Sequence, residues 1–151
     1  MKFKEKLKNN LRKVLNLLYR WKDSRLYRNI YVSLKGKKKI QLLDFGQVIR
    51  YRAKTFSTKE PETLNWIDGF ENNSVFWDIG GNVGLYSIYA AKKNQRTYCF
   101  EPSVFNLEFL ARNINLNNLT DNISILPIAL NDINKISRLK LTSSEWGSAH
   151  S

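Results

Sequence analysis

Two acids and a group of glycines are the residues of this 151-residue chain whose types and spacing can do chemistry. Asp78 stands two residues before Gly80 in Val75-Phe-Trp-Asp-Ile-Gly-Gly-Asn-Val-Gly-Leu-Tyr-Ser87, and Glu101 follows 21 residues after Gly80 in Phe100-Glu-Pro-Ser103. Glycines where a strand turns into a helix let a ligand approach the backbone and let the helix pack tightly on the sheet. A dinucleotide site reads G-x-G-x-x-G and turns bare amides towards pyrophosphate. Here the order is G-G-N-V-G, over Gly80, Gly81, Asn82 and Gly84, with a carboxylate at the mouth of the strand. That charge repels a pyrophosphate and favours a ligand carrying an ammonium group and no phosphate.

S-adenosyl-L-methionine is such a ligand: it joins an amino-acid moiety and a sulfonium to an adenosine whose ribose offers two hydroxyls. Glu101 is an acceptor with enough lone pairs for both hydroxyls. Asp78 and Glu101 would thus bracket one molecule, and both are expected at the carboxyl ends of strands, where ligands of open α/β sheets sit. A nicotinamide-binding module is disfavoured by Asp78 and by the missing third glycine spacing.

The elements that must position these acids follow from periodicity. Val75–Ile79 is almost wholly apolar, which predicts a strand buried on both faces of a parallel sheet. Residues 84–93 read as a helix, 97–100 as a strand, 104–117 as a helix and 123–126 as a third strand. This βαβαβ alternation predicts right-handed crossovers and a doubly wound, Rossmann-like α/β sheet. The asparagine-rich stretch 113–122 carries Ile114, Leu116 and Leu119 and reads as a helix ending. Phe76, Trp77, Tyr98 and Cys99 are expected in the core, Cys99 as an inert thiol.

Upstream, short runs (Ile30, Tyr31, Val32; Ile40, Leu42; Val48, Ile49, Tyr51) predict a small antiparallel hairpin or meander over residues 30–54. Lysines 37 to 39 beside Gly36 read as a solvated turn. Ser57-Thr-Lys-Glu-Pro-Glu62 combines a hydroxyl cap, early acids and a proline, and predicts a helix to about Ile67 that ends near Gly69. At the front, Phe3, Leu7, Leu11, Val14, Leu15, Leu18 and Trp21 share one helical face opposite Lys2, Lys6, Arg12, Lys13 and Arg20. The simplest expectation for this basic amphipathic helix is docking on the rest of the protein. A membrane surface or a partner, met through residues 1–22, is the alternative, and nucleic acid is disfavoured. The chain therefore divides into residues 1–28, residues 29–72 (hairpin and lead-in helix) and residues 73–151 (the βαβαβ half-domain).

Charge respects that division. Residues 1–59 hold 18 Lys and Arg against three acids, whereas residues 60–151 hold seven bases against ten acids, so the net charge of +12 belongs to the front. One cysteine and one histidine, His150 in the tail, exclude a disulfide framework, a zinc cluster and a catalytic pair of Cys/His or Ser/His type embedded in the domain. No metal site is expected. Apolar runs fall short of the ~20 residues a membrane span needs, and the lysine-rich start lacks the marks of a signal peptide, which predicts a cytoplasmic protein.

Beyond these readings, Phe76 to Ser87, Phe100-Glu-Pro102, Asn113-Ile-Asn-Leu-Asn-Asn118 and Ala129-Leu-Asn-Asp132 together resemble the FkbM family of class I S-adenosylmethionine-dependent methyltransferases. Lys59 to Ile67 is similar to the helix that leads into the first strand of that family, and the resemblance covers about residues 50–150. It implies methyl transfer to a hydroxyl of a small molecule or glycan. It also implies a cofactor site of Asp78, Gly80, Gly81, Asn82, Gly84 and Glu101, with Ser103 and Asn106 flanking the ribose and residues 129–132 near the adenine. No residue stands out as the catalytic base. Domains of the family continue through further strands, so the expectation is a C-terminally truncated chain, either part of an enzyme or a noncatalytic remnant that binds the cofactor or acts through its basic helix.

Overall fold

A computed structural model describes residues 28–34 and 39–139. The amphipathic helix of residues 1–22, Lys37, Lys38 and His150 lie outside the described residues. An antiparallel hairpin of β1 (Arg28–Ser33) and β2 (Lys39–Asp44) leads into helices α1 (Gln47–Lys59) and α2 (Pro61–Asp68). There follow β3 (Val75–Ile79), α3 (Leu85–Lys92), β4 (Arg96–Phe100), α4 (Val104–Leu116) and β5 (Ile123–Leu126). The last three strands form a parallel sheet in the order β3-β4-β5, with Asp78 level with Cys99 and Phe100 level with Leu126. Sequential parallel strands joined by helices make the βαβαβ architecture expected from the alternation of periods.

One core runs through the hairpin, α1, the sheet and both crossover helices. Val32, Ile40 and Leu42 from the hairpin, Ile49 and Phe56 from α1, and Phe76, Ile88, Cys99, Leu110 and Ile123 from the βαβαβ unit are all buried in it. Aromatic rings tie the layers: Phe56 meets Tyr86 and Tyr89 at 5.3 and 5.7 Å between centroids, and Phe45 stacks on Phe109.

Two elements depart from the sequence reading. Residues 47–54 are helical rather than a strand, because Ile49, Ala53 and Phe56 repeat at helical spacing and turn one face to the core. A short run of β-branched residues does not distinguish the two states. Ser57 and Thr58 consequently close α1 instead of capping the next helix, which starts one residue after Glu60 with Pro61 in its first turn and ends at Gly69.

The second departure is β3. Only Phe76 and Asp78 point into the core, while Val75, Trp77 and Ile79 are 57, 58 and 64% exposed. Both helices pack on the face that carries Phe76, Thr97, Cys99 and Ile123, so among the described residues the opposite face of β3 has no covering layer. Trp77 is therefore not a core residue; it leans on Phe100 at 5.3 Å.

Asparagines do much of the joining. Asn73, Asn82, Asn94 and Asn118 all adopt positive φ, a conformation Asn tolerates better than other side chains. Two others hold the hairpin to α4. Asn113, fully buried, accepts from the Leu43 N–H at 2.9 Å and donates to the Val83 carbonyl at 2.9 Å. One turn on, Asn117 accepts from the Gln41 N–H at 3.1 Å and donates to the Gln41 carbonyl at 2.7 Å, so its amide pairs the edge of β2 as a neighbouring strand would. Asn113→Ala should leave the Leu43 N–H and the Val83 carbonyl unpaired in the core and cost about 2–4 kcal/mol in urea unfolding. Asn122→Ala, at an exposed position, should cost under about 0.5 kcal/mol.

Candidate functional site

At the carboxyl ends of β3 and β4 the chain makes two turns that one carboxylate ties together. Glu101 is buried; its Oε2 accepts the Asn82 N–H and its Oε1 accepts the Ser103 N–H, each at 2.8 Å. A carboxylate has about four acceptor positions, so one on each oxygen is left. The glycine turn spends its other amides internally. Gly80 and Gly81 both donate to the Phe100 carbonyl, at 2.8 and 3.1 Å, and Gly84 donates to the Gly81 carbonyl at 2.8 Å. An anion cradle needs such amides pointing at the ligand. The turn lacks them at Gly80, Gly81 and Asn82.

Sterics explain two of the glycines. A Cβ on Gly81 would lie 2.1 Å from the Cys99 sulfur and 3.1 Å from the nearer Asp78 oxygen, and one on Gly84, at φ +89°, would lie 2.6 Å from a Leu110 methyl. Gly84 is thus a packing residue at the start of α3. Gly80 faces open space, where a Cβ would meet nothing within 4 Å.

Beneath the turn, Asp78 accepts a hydrogen bond from the Ser87 hydroxyl at 2.5 Å. Burial pushes its pKa up, against the lowering effect of Ser87. Burial, with the Asp78 charge beside it, also pushes the Cys99 thiol up to about 12, which leaves it protonated and unreactive.

Two cavities open on either side of the turn. The first, of about 280 Å³, is lined by Asp78, Gly80, Gly81 and Asn82 together with the inner face of α1 and with Tyr86. The second, of about 430 Å³, is lined by Glu101, Ser103, Asn106, Gly80 and Asn82, and by the apolar Ile128, Ala129 and Leu130 after β5. Arg52, Gly80 and Asn82 border both. Of the residues singled out from the sequence, Asp78 and Gly81 therefore border the first cavity, Glu101, Ser103 and Asn106 the second, and Gly80 and Asn82 both; Gly84 borders neither. The Ser103 hydroxyl is buried without a hydrogen-bond partner.

Sequence reasoning assigned no site residue in α1. Val48, Tyr51, Arg52, Thr55, Phe56 and Lys59 line the first cavity, and they recur at three- and four-residue steps along one side of the helix. That spacing is the signal that reading residues 48–51 as a strand conceals. Glu60, at the junction of α1 and α2, accepts from the Tyr86 hydroxyl at 2.9 Å and closes the same wall. Burial and the Glu60 carboxylate raise the Tyr86 pKa, so this phenol stays a donor.

The sequence matches no family model and no curated protein. Solved structures do match. The S-adenosylmethionine-dependent methyltransferase of Agrobacterium tumefaciens superposes on 66% of this chain with a TM-score of 0.50 at 14% identity. The fold is the Rossmann-like methyltransferase fold. The precorrin-6Y C5,15-methyltransferase of Geobacter metallireducens covers 46% of the chain (TM-score 0.42, 24% identity), and P. horikoshii TYW2, solved with MeSAdo, covers 70% (TM-score 0.48, 16% identity). The chain spans 32, 37 and 38% of the Agrobacterium, Geobacter and P. horikoshii structures, respectively. No helix among the described residues is long and apolar enough to cross a membrane.

The raised pKa of Asp78 carries a sign. The folded chain holds that proton more tightly than the unfolded chain, so the group lowers stability once pH rises past the ordinary carboxylate value of about 3.9, and the cost is complete above the raised native value. Asp78→Asn, which keeps an acceptor for Ser87, should be more stable than the parent at pH 7. The gain should vanish below about pH 4, as read by urea unfolding at both values.

Proposed function

We propose that this chain binds S-adenosyl-L-methionine across the two cavities, as the cofactor-binding part of a methyltransferase of the FkbM type that methylates a hydroxyl on a glycan or secondary metabolite. The observation that carries the reading is the pair of buried acids at the ends of adjacent strands, one per cavity, around a turn whose Gly80, Gly81 and Asn82 amides are consumed. Such a site meets a cation and a diol better than a phosphate.

The residues present fit the cofactor. Glu101 keeps an acceptor position on each oxygen for ribose hydroxyls, and Ser103, whose buried hydroxyl has no partner, lines the same cavity. Ile128, Ala129 and Leu130 supply an apolar wall for a base. Asp78 offers its charge to an ammonium, and ionised Asp78 is favoured by a cation beside it. When bound, the cofactor supplies an electrophilic methyl group on a sulfonium; the protein must align an acceptor oxygen with it and keep competing water out. The resemblance supports the hydroxyl acceptor, and the basic amphipathic pattern of residues 1–22 suits docking on the rest of the protein or, as the alternative, contact with a membrane surface or partner.

The face of Val75, Trp77 and Ile79, uncovered among the described residues, favours a second reading, binding of the cofactor without turnover. Transfer of labelled methyl to a glycan pool separates the two. Binding itself is tested by calorimetry with S-adenosylhomocysteine. The parent should bind it and not NAD, and Glu101→Gln, folded by circular dichroism, should lose about 10- to 100-fold in affinity. Binding of NAD alone would remove both readings.

A further inference from the structure

We propose that Arg52 is the receptor for the carboxylate of the ligand's amino-acid end, so that the site selects a carboxylate-bearing sulfonium nucleoside over its decarboxylated counterpart. This rests on the cofactor reading above. Arg52 borders both cavities, beside Gly80 and Asn82, and shares the first with Asp78. The wall of that cavity carries the acids Asp78 and Glu60 and the cations Arg52 and Lys59, and a wall of both signs matches a zwitterion: ammonium to an acid, carboxylate to a guanidinium.

The other cation on that wall is placed differently. Lys59, at the last position of α1, has its side chain 57% exposed and its ammonium 3.6 Å from Glu60, so its charge lies in solvent. Arg52 is half-buried, and loss of hydration disfavours its charged form, while Glu60 and Tyr86 favour it. An anion brought to it replaces lost solvent, which makes the contact stronger than an exposed one. Its planar fork also fits a carboxylate with two parallel hydrogen bonds, which a lysine cannot do. Helix α1, packed through Ile49 and Phe56, keeps the guanidinium side on a rigid element.

Calorimetry on the full chain tests this with two ligands, S-adenosylmethionine and its decarboxylated form, which keeps the ammonium, the sulfonium and the ribose. The parent should bind the first roughly 10- to 100-fold more tightly. Arg52→Met should bind both with the affinity the parent shows for the decarboxylated ligand, and Arg52→Lys should restore part of the preference. Equal affinity of the parent for both ligands, or a preference that survives in Arg52→Met, would overturn the assignment while leaving the cofactor reading in place. A parent that binds neither ligand removes the cofactor reading and Arg52's role with it. The comparison within the parent needs no variant, so equal affinities overturn the assignment even where Arg52→Met fails to fold, and Arg52→Gln then takes its place as the variant that should lose the preference.

Discussion

The Glu101 carboxylate is the constraint on which the upper rim of the sheet depends. A strand end followed by Pro102 has no ladder to continue, and a glycine-containing turn has no stiffness of its own. By taking one amide from each turn, at Asn82 and Ser103, the carboxylate fixes the height of the two turns relative to each other and to β4. Charge-assisted bonds of this kind are about twice as strong as neutral ones; the one from Ser103 is buried and the one from Asn82 partly so. The Phe100 carbonyl, one residue earlier, receives Gly80 and Gly81 from the same turn. Two successive residues at the end of β4, Phe100 and Glu101, therefore hold the start of the turn after β3, and the two cavities share the border that this clamp sets.

The hairpin and α1 are equally part of the site, although they precede the parallel sheet. Without α1 the first cavity would have no second wall: Asp78 and the turn supply one side, and Arg52, Phe56 and their helical neighbours the other. What holds α1 is the packing of Ile49 and Phe56, and what holds the hairpin under it is the pair of Asn113 on α4 and Asn117 at the C-cap of that helix. Side-chain amides can do this because each carries a donor and an acceptor in the same geometry as a peptide group. The link runs from β2 through α4 to the Val83 carbonyl at the turn, so distant segments of sequence meet at one buried residue.

This division explains how much was legible in the sequence. The sheet strands and crossover helices are readable because their periods differ and each is long enough to show it: β5 and α4 lie where the pattern puts them. Asp78 and Glu101 stand out because acids are rare beside apolar strand ends. Residues 48–51 misled because four residues cannot show a helical period, and the evidence for α1 lies further on, at Ala53 and Phe56. The exposure of Trp77 is invisible to any local rule, since composition announces an apolar strand and not whether a second layer covers it. The roles of Asn113 and Asn117 depend on partners some 70 residues away, and in sequence they resemble a polar helix end.

Where the charge of the site comes from decides what it can hold. A turn that offers its amides to a ligand presents fixed partial positive charge and suits anions. This turn has inverted the arrangement: its amides face the Phe100 carbonyl and the Glu101 carboxylate, and the charges that border the cavities belong to side chains, Asp78, Glu60 and Glu101 negative and Arg52 and Lys59 positive. Asp78 is held at a cost, because burial opposes its ionisation and the Ser87 hydroxyl offsets only part of that. A cation entering the first cavity relieves the cost and is attracted by the same low-dielectric surroundings that created it. The desolvation that raises the pKa of Asp78 thus also favours a cation beside it, since a neutral or anionic group gains nothing from the relief.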